Sequence, residues 1–416
     1  MKKSILLTAL ASMMMSQGHA MVVHEWGTFT SVQGSDGVDQ IGIYHDDEKL
    51  PSFVHGFGEI AQPRPPLAHT PAPSPIHDDE DPPCFKGVPC HLLRENRITQ
   101  RMETPVIYFY HDNRTNQPVT VDVGFPLGVI SETYPAPVEA FPKKGTTNLT
   151  QGRVRFQVDV LSNYLHVPTV PPPVEEGNIY SHARNVASNF VQVPNGSDTD
   201  REKFIFYRGV GKFQGSLKLR RAKHFDTLTV VNTEASVPEA ILIHTDSLGR
   251  SAFTNMSDIH AGESQYLDKG VAQAKRVPLE DLKDAVSAAL VRSGLHEDEA
   301  QAMVDTWGHG YFQTPGLRVL YVLNRETLEK ILPMTVTPTP EELVRVMVGR
   351  LEIVTPEEES DIYQAVANLG EQFDFHTLGR FAEAKLRAVQ SAADKFPANP
   401  QVLTDLETLI ARAEQQ

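Results

Sequence analysis

The spacing of apolar positions changes period at Pro278. Up to about residue 245 they fall in short runs, alternating or continuous, separated by Gly, Pro, Asn and Asp clusters. That pattern predicts β-strands joined by turns. Residues 28–32 alternate and run into the turn cluster Gly34-Ser35-Asp36-Gly37. Residues 106–110 are continuously apolar and 119–125 alternate, which predicts a hairpin turned through Asn113-Arg114-Thr115-Asn116. Residues 153–160 alternate with one charged face. Residues 204–207, 217–219, 227–231 and 240–244 continue the series.

From Pro278 the period becomes helical. Leu282, Val286, Ala289 and Leu290 line one face of a helix that Gly294 stops, and a second helix runs from Glu297 to about Trp307. The pair superficially resembles a helix-turn-helix, but an acidic, exported chain argues against a DNA reader. Residues 317–323 form a strand. Residues 340–349 predict a helix, with Pro340 at its start and Gly349 at its end. Thr355 caps another helix, with Glu358 three residues on. Residues 377–413 predict two helices broken at Pro397-Ala398-Asn399-Pro400. Phe381, Leu386, Val389, Leu403, Leu406 and Ile410 suit an antiparallel pair.

These elements predict an α+β fold: a β-sandwich-like N-terminal region, then a mixed and then a helical C-terminal region. The expected divisions are a signal peptide at 1–20 and a β-rich domain at 21–270 with a Pro-rich loop at 45–83. A mixed segment at 271–354 and a helical region at 355–416 follow.

The chain begins with a basic Met1-Lys2-Lys3, an apolar run over 5–15 and a small-x-small exit at Gly18-His19-Ala20. This is the layout of a secretory signal cut after Ala20. The run is shorter than the roughly 20 residues a membrane span needs. No later stretch predicts a span, so the mature chain is expected to have no transmembrane segment. Localisation is then periplasmic or extracellular. The net charge of −15 becomes −17 once Lys2 and Lys3 are removed, which disfavours nucleic acid as a partner. Cys84 and Cys90, the chain's 2 cysteines, are predicted to form a disulfide in that oxidising location.

Candidate chemistry centres on His24-Glu25-Trp26. Adjacent strand residues point to opposite faces, so His24 and Glu25 do not serve one site unless the backbone departs from a strand. Glu25, Glu103 and Arg208 are candidate catalytic residues, on the expectation that strand ends gather at one end of the β-domain. Paired Glu25 and Glu103 would suit glycoside hydrolysis. The alternative is a plain buried Glu103–Arg208 ion pair. His24 is a candidate ligand for a divalent metal, including copper held with the mature N-terminal amine and backbone amides. His45, His55, His111, His182, His244 and His309 are further candidate ligands. Asp46-Asp47-Glu48 and Asp78-Asp79-Glu80-Asp81 are acidic runs without the spacing of a calcium loop. No zinc-peptidase motif, nucleophile elbow or phosphate loop occurs, and Gly209-Val210-Gly211 lacks the rest of a dinucleotide fingerprint, so no cofactor-binding motif is assigned.

Four stretches, His24-Glu25-Trp26-Gly27-Thr28-Phe29-Thr30-Ser31, Met102-Glu103-Thr104-Pro105-Val106-Ile107-Tyr108-Phe109-Tyr110, Phe204-Ile205-Phe206-Tyr207-Arg208-Gly209-Val210-Gly211 and Gly316-Leu317-Arg318-Val319-Leu320-Tyr321-Val322-Leu323, together resemble an uncharacterised family of exported bacterial proteins. The resemblance implies export from a Gram-negative-type bacterium and no particular mechanism. Two function classes follow. The leading one, favoured by the absence of a recognisable nucleophile set, is a binding or envelope-associated scaffold protein that engages a protein or small-molecule ligand. The second is a periplasmic hydrolase or metal-dependent enzyme with its site at the loop end of the β-domain.

Overall fold

The structure, a computed structural model, describes residues 21–45, 50–60, 83–85, 88–143, 145–164, 170–194, 201–221, 228–233, 235–256, 258–267 and 270–415. The expected signal segment, both acidic runs and most of the Pro-rich stretch lie outside the described residues, as does the side chain of Cys84.

Nine strands form the main sheet. Its order is Ser251–Met256, Ala240–Thr245, Gly316–Val322, Glu342–Ile353, Val22–Gln33, Gln100–Tyr110, Ile205–Gly211, Gly128–Tyr134 and His55–Gly56. Val22–Gln33 is therefore the middle strand. It pairs parallel with Glu342–Ile353 and antiparallel with Gln100–Tyr110. A strand buried on both faces fills both with core residues, and this one is buried almost throughout.

The two faces meet different layers. Val23 and Phe29 join Ile107, Phe109, Ile205 and Met347 in a core shared with Val119, Val121, Val123, Phe156 and Val158 of a six-stranded sheet. Trp26 joins Val106, Tyr108, Phe206, Val346 and Val348 under the helices Leu279–Arg292 and Glu297–Phe312. The chain is thus α+β, with sheets first and helices toward the C-terminus. The last helices, Pro356–Leu369, Ala382–Ser391 and Pro400–Ala413, have a core of their own around Leu386, Val389, Leu406 and Ile410. Among the described residues no helix is long and apolar enough to cross a membrane.

Close packing explains two glycines in the central strands. A Cβ on Gly27 would lie 2.9 Å from Met347 Sδ and from Pro105 Cα, and one on Gly349 would lie 2.1 Å from the Tyr321 ring. Neither side chain nor backbone can retreat from contacts that short in a filled core.

Three expectations are corrected. Residues 340–349 are strand, not helix: Glu342–Ile353 pairs with Val22–Gln33 over its full length. Leu343-Val344-Arg345-Val346-Met347-Val348 is β-branched and alternates, and sheet pairing outweighs the Pro and Gly at its ends. The strands near 106 and 119 are not a hairpin. Gln100–Tyr110 lies inside the main sheet, while Gln117–Phe125 pairs with Gly152–Val160 in the smaller one. Their patterns already differed, one continuously apolar and one alternating, as two sheets with different exposure require. Leu403 is 38% exposed and takes no part in the C-terminal core.

Candidate metal centre

His24, Trp26, Thr28 and Thr30 share the helix-facing side of the central strand. The helix Glu297–Phe312 runs alongside it in the same direction. His24 meets Glu299, and Thr28 accepts from Trp307 Nε1 at 3.2 Å. Beyond them Arg350, in register with Thr30, donates to the Gly310 carbonyl at 2.9 Å. The rungs match in length. From His24 to Thr28 the strand rises about 13 Å and from Glu299 to Trp307 the helix rises about 12 Å, before the helix kinks at Gly308 (φ 28°).

The first rung is a cluster. His24 Nδ1 lies 2.8 Å from Glu299 Oε2, and Tyr110 donates its hydroxyl to Glu299 Oε1 at 2.7 Å. The backbone N–H of His296 donates to Glu299 Oε2 at 2.7 Å. His296 is the helix N-cap and Glu299 its third residue, so helix start geometry brings the two side chains together. The carboxylate also suits the positive end of the helix dipole. The His24 and His296 rings are 4.4 Å apart between centroids, and Tyr110 stands edge-on to both. His24 and Glu299 are buried, whereas the His296 side chain is 52% exposed. One donor atom from each of His24, His296 and Glu299 lies within 4.8 Å of the others. Two imidazoles and a carboxylate are a ligand set for zinc and other divalent first-row ions.

The remaining candidates do not converge with His24. Glu25 points to the opposite face, as strand alternation requires. Its oxygens take the Tyr207 hydroxyl and, at 2.5 Å, Arg345 Nε, the residue directly across the ladder. Arg345 also donates to Glu329 at 3.2 Å. Glu103 sits opposite Thr28, four residues along. It accepts from Arg380 at 2.7 Å and from Tyr311 at 3.0 Å. Burial would raise the Glu103 carboxyl, but Arg380, Arg101 and Arg350 together hold it well below the usual range. A register shift between Trp26 and Thr28, with Thr104 at φ 47°, keeps both Glu103 and Val106 on the helix side, which is how a bulge re-aims side chains.

Arg208 holds Glu132, its cross-strand neighbour, through Nε at 2.9 Å and Nη2 at 3.0 Å. The expected Glu103–Arg208 pair is therefore two pairs with other partners. Glu25 and Glu103 are not a carboxylate pair across a groove, because they occupy opposite sides of the sheet. The copper chelate with the N-terminal amides is also excluded. From Val22 onward the backbone is paired with a strand on each side, and its amides serve those ladders.

The other histidines have local roles. His45 Nε2 lies 3.3 Å from Glu383, His111 Nδ1 accepts from the Asn113 amide at 3.1 Å, and His309 Nδ1 lies 3.0 Å from Gln313. His55 stacks on Tyr134, His182 lies in the 3-10 helix Ile179–Asn185, and burial lowers the pKa of His244.

His296, Glu299 and Tyr110 escaped the sequence reading as site residues. A signal existed: a His immediately before a helix with Glu three residues later.

No known family profile matches the chain, and no curated protein matches it. Among solved structures, a zebrafish (Danio rerio) Fcho1 Mu homology domain with a bound Eps15 peptide is similar at 7% identity and a TM-score of 0.27. That match covers 82% of this chain and 96% of that one. A yeast delta-COP-I mu-homology domain complexed with a Dsl1 WxWxV peptide is similar at 6% identity and 0.25, covering 81% and 97%. Likenesses at those scores bear on neither fold nor function here.

Proposed function

We propose that this is an exported metal-binding protein whose centre is His24, His296 and Glu299. The observation that carries the reading is the approach of the three donor atoms to within 4.8 Å. Two strands and a helix start supply the cluster, with Tyr110 and the His296 amide orienting the carboxylate. Such second contacts around a ligand fix its direction and tune its affinity. Three protein ligands leave a position for water or an incoming ligand, and the exposed His296 puts that position at the protein surface. The binding role expected from the sequence thereby gains a ligand class, a divalent first-row ion with zinc the best fit to the N,N,O set. The signal-like residues 1–20 support export.

In that location the Cys84–Cys90 bridge would close the small hairpin made by Pro83–Phe85 and Val88–Pro89. A thiol assay on denatured, unreduced protein is expected to find no free thiol.

The metal reading is tested by dialysis of the purified mature chain against zinc, then metal analysis. One equivalent is expected, lost in His24→Ala and Glu299→Gln. Absence of stoichiometric metal in the unaltered protein would refute it.

A further inference from the structure

The two oxygens of Glu299 are used differently, and Tyr110 makes the difference. Both imidazoles converge on Oε2, with His24 Nδ1 at 2.8 Å and His296 Nδ1 at 3.9 Å. Ligand atoms about 2.0–2.1 Å from one ion stand roughly 3 Å apart, so Oε2 is the oxygen that an ion held by both rings meets. Oε1 is taken by the Tyr110 hydroxyl at 2.7 Å. An ionised carboxylate only accepts, so the phenol is the donor.

The sheet places Tyr110 for this. It pairs with Val22, two residues along from the His24–Tyr108 pair. That makes it the diagonal neighbour of His24 on the same face, within reach of an aromatic side chain. Its ring stands edge-on to His24 at 5.3 Å and to His296 at 5.0 Å between centroids. One side chain therefore borders all three ligands.

An oxygen held in a short hydrogen bond is not free to turn onto the ion as a second ligand. Glu299 then gives one oxygen, and the protein gives three ligands in all. Few ligands, two of them nitrogen, suit zinc. Manganese(II), magnesium and calcium prefer more ligands and mostly oxygen, and gain from a carboxylate that binds through both oxygens.

We propose that Tyr110 sets the ion selectivity of this centre: it holds Glu299 to a single ligand oxygen and so favours zinc over manganese(II) and other oxygen-seeking ions. The inference rests on the metal reading above and adds the residue that chooses the ion. Tyr110 is a positioning residue, because it borders the ligands and not the ion.

The test is competitive titration of the whole mature chain, freed of metal, with zinc and manganese(II). Unaltered, Tyr110→Phe and Tyr108→Phe proteins are compared. Tyr110→Phe keeps the ring and removes only the hydroxyl. Tyr108→Phe controls for a lost phenol on the same strand and face, since its hydroxyl donates to the Ala183 carbonyl at 2.7 Å. Zinc is expected to bind Tyr110→Phe roughly 10- to 100-fold more weakly, with manganese(II) bound no more weakly than before. The zinc-to-manganese affinity ratio should therefore fall at least about tenfold, and should not change in Tyr108→Phe. An unchanged ratio in Tyr110→Phe, or an equal fall in Tyr108→Phe, would overturn the inference. Cobalt(II) in the unaltered chain gives a measurement that needs no variant. Intense visible bands of a four-coordinate ion are expected, and the weak bands of a six-coordinate ion would overturn the inference. Absence of stoichiometric zinc from the unaltered chain would overturn the metal reading and this inference with it. Zinc bound with an unchanged ratio in Tyr110→Phe would overturn this inference and leave that reading standing.

Discussion

His24 and Glu25 are neighbours in sequence, and the two sides of the sheet treat them differently. On the side of the second sheet, Glu25 and Arg345 are both fully enclosed, and Tyr207 completes the carboxylate's partners. Nothing from solvent reaches that group. On the helix side, His24 is equally buried, yet its cluster ends in an exposed His296. The closed arrangement is a staple between adjacent strands. The open one has ligand-type atoms, an orienting second layer and access from the surface. Access and donor geometry separate a structural ion pair from a binding site; the presence of ionisable residues does not.

Perturbing the closed side should produce the largest effect. Arg345→Met leaves Glu25 without its charge partner in the core, and the cost is expected to be about 3–5 kcal/mol, read from urea unfolding. Tyr207→Phe removes one hydrogen bond to the same carboxylate and should cost about 1.5–3 kcal/mol. Neither change touches the proposed metal ligands, so a folded Tyr207→Phe protein should bind zinc as the unaltered chain is expected to. Loss of zinc there would dissolve the distinction between the two faces.

Acid should act mainly at the far end of the helix side. Burial pushes the Glu352 carboxyl up, but Arg318 and Arg350 outweigh it and hold it at about 2, below its ordinary 4.5. Glu103 shifts the same way. Between those values the unfolded chain binds more protons than the folded one, so stability falls as pH falls. The contribution is complete above about pH 4.5 and is lost on approach to pH 2. Glu202 and Glu359, raised by burial, act with the opposite sign, above their ordinary 4.5. Urea midpoints are therefore expected to drop steeply below pH 4.5. A flat profile from pH 5 to 3 would contradict the charge arrangement at Glu103 and Glu352.

The smallest stability effect should come from His296→Ala. The side chain is half exposed, but it caps Glu297–Phe312 and packs against His24 and Tyr110, so the cost is expected at the low end of a cap deletion, about 0.5–1 kcal/mol.

Much of the architecture was legible because local patterns agreed with tertiary use. The alternating 153–160 strand has its charged face outward, with Arg153 and Arg155 on Asp122. The helix face Leu282, Val286, Ala289 and Leu290 is buried as its period demands. Thr355 caps its helix by accepting from the Glu358 amide. The opposition of His24 and Glu25 followed from strand alternation alone. Other features depend on long-range pairing that no local pattern carries. The 342–353 strand was masked by helix-like end signals, and its partner lies some 320 residues away. The candidate metal cluster joins residues 275 apart, and Glu103 was given the wrong arginine because Arg380 comes from the C-terminal region.

The most direct measurement is zinc stoichiometry in His296→Ala beside the unaltered protein, with unfolding followed on the same samples. The account predicts one equivalent of zinc in the unaltered chain, and its loss in His296→Ala while that protein still unfolds cooperatively in metal-free buffer, at a cost no larger than that of a lost helix cap, about 0.5–2 kcal/mol. Retention of zinc by His296→Ala, or no zinc in the unaltered chain, would contradict it.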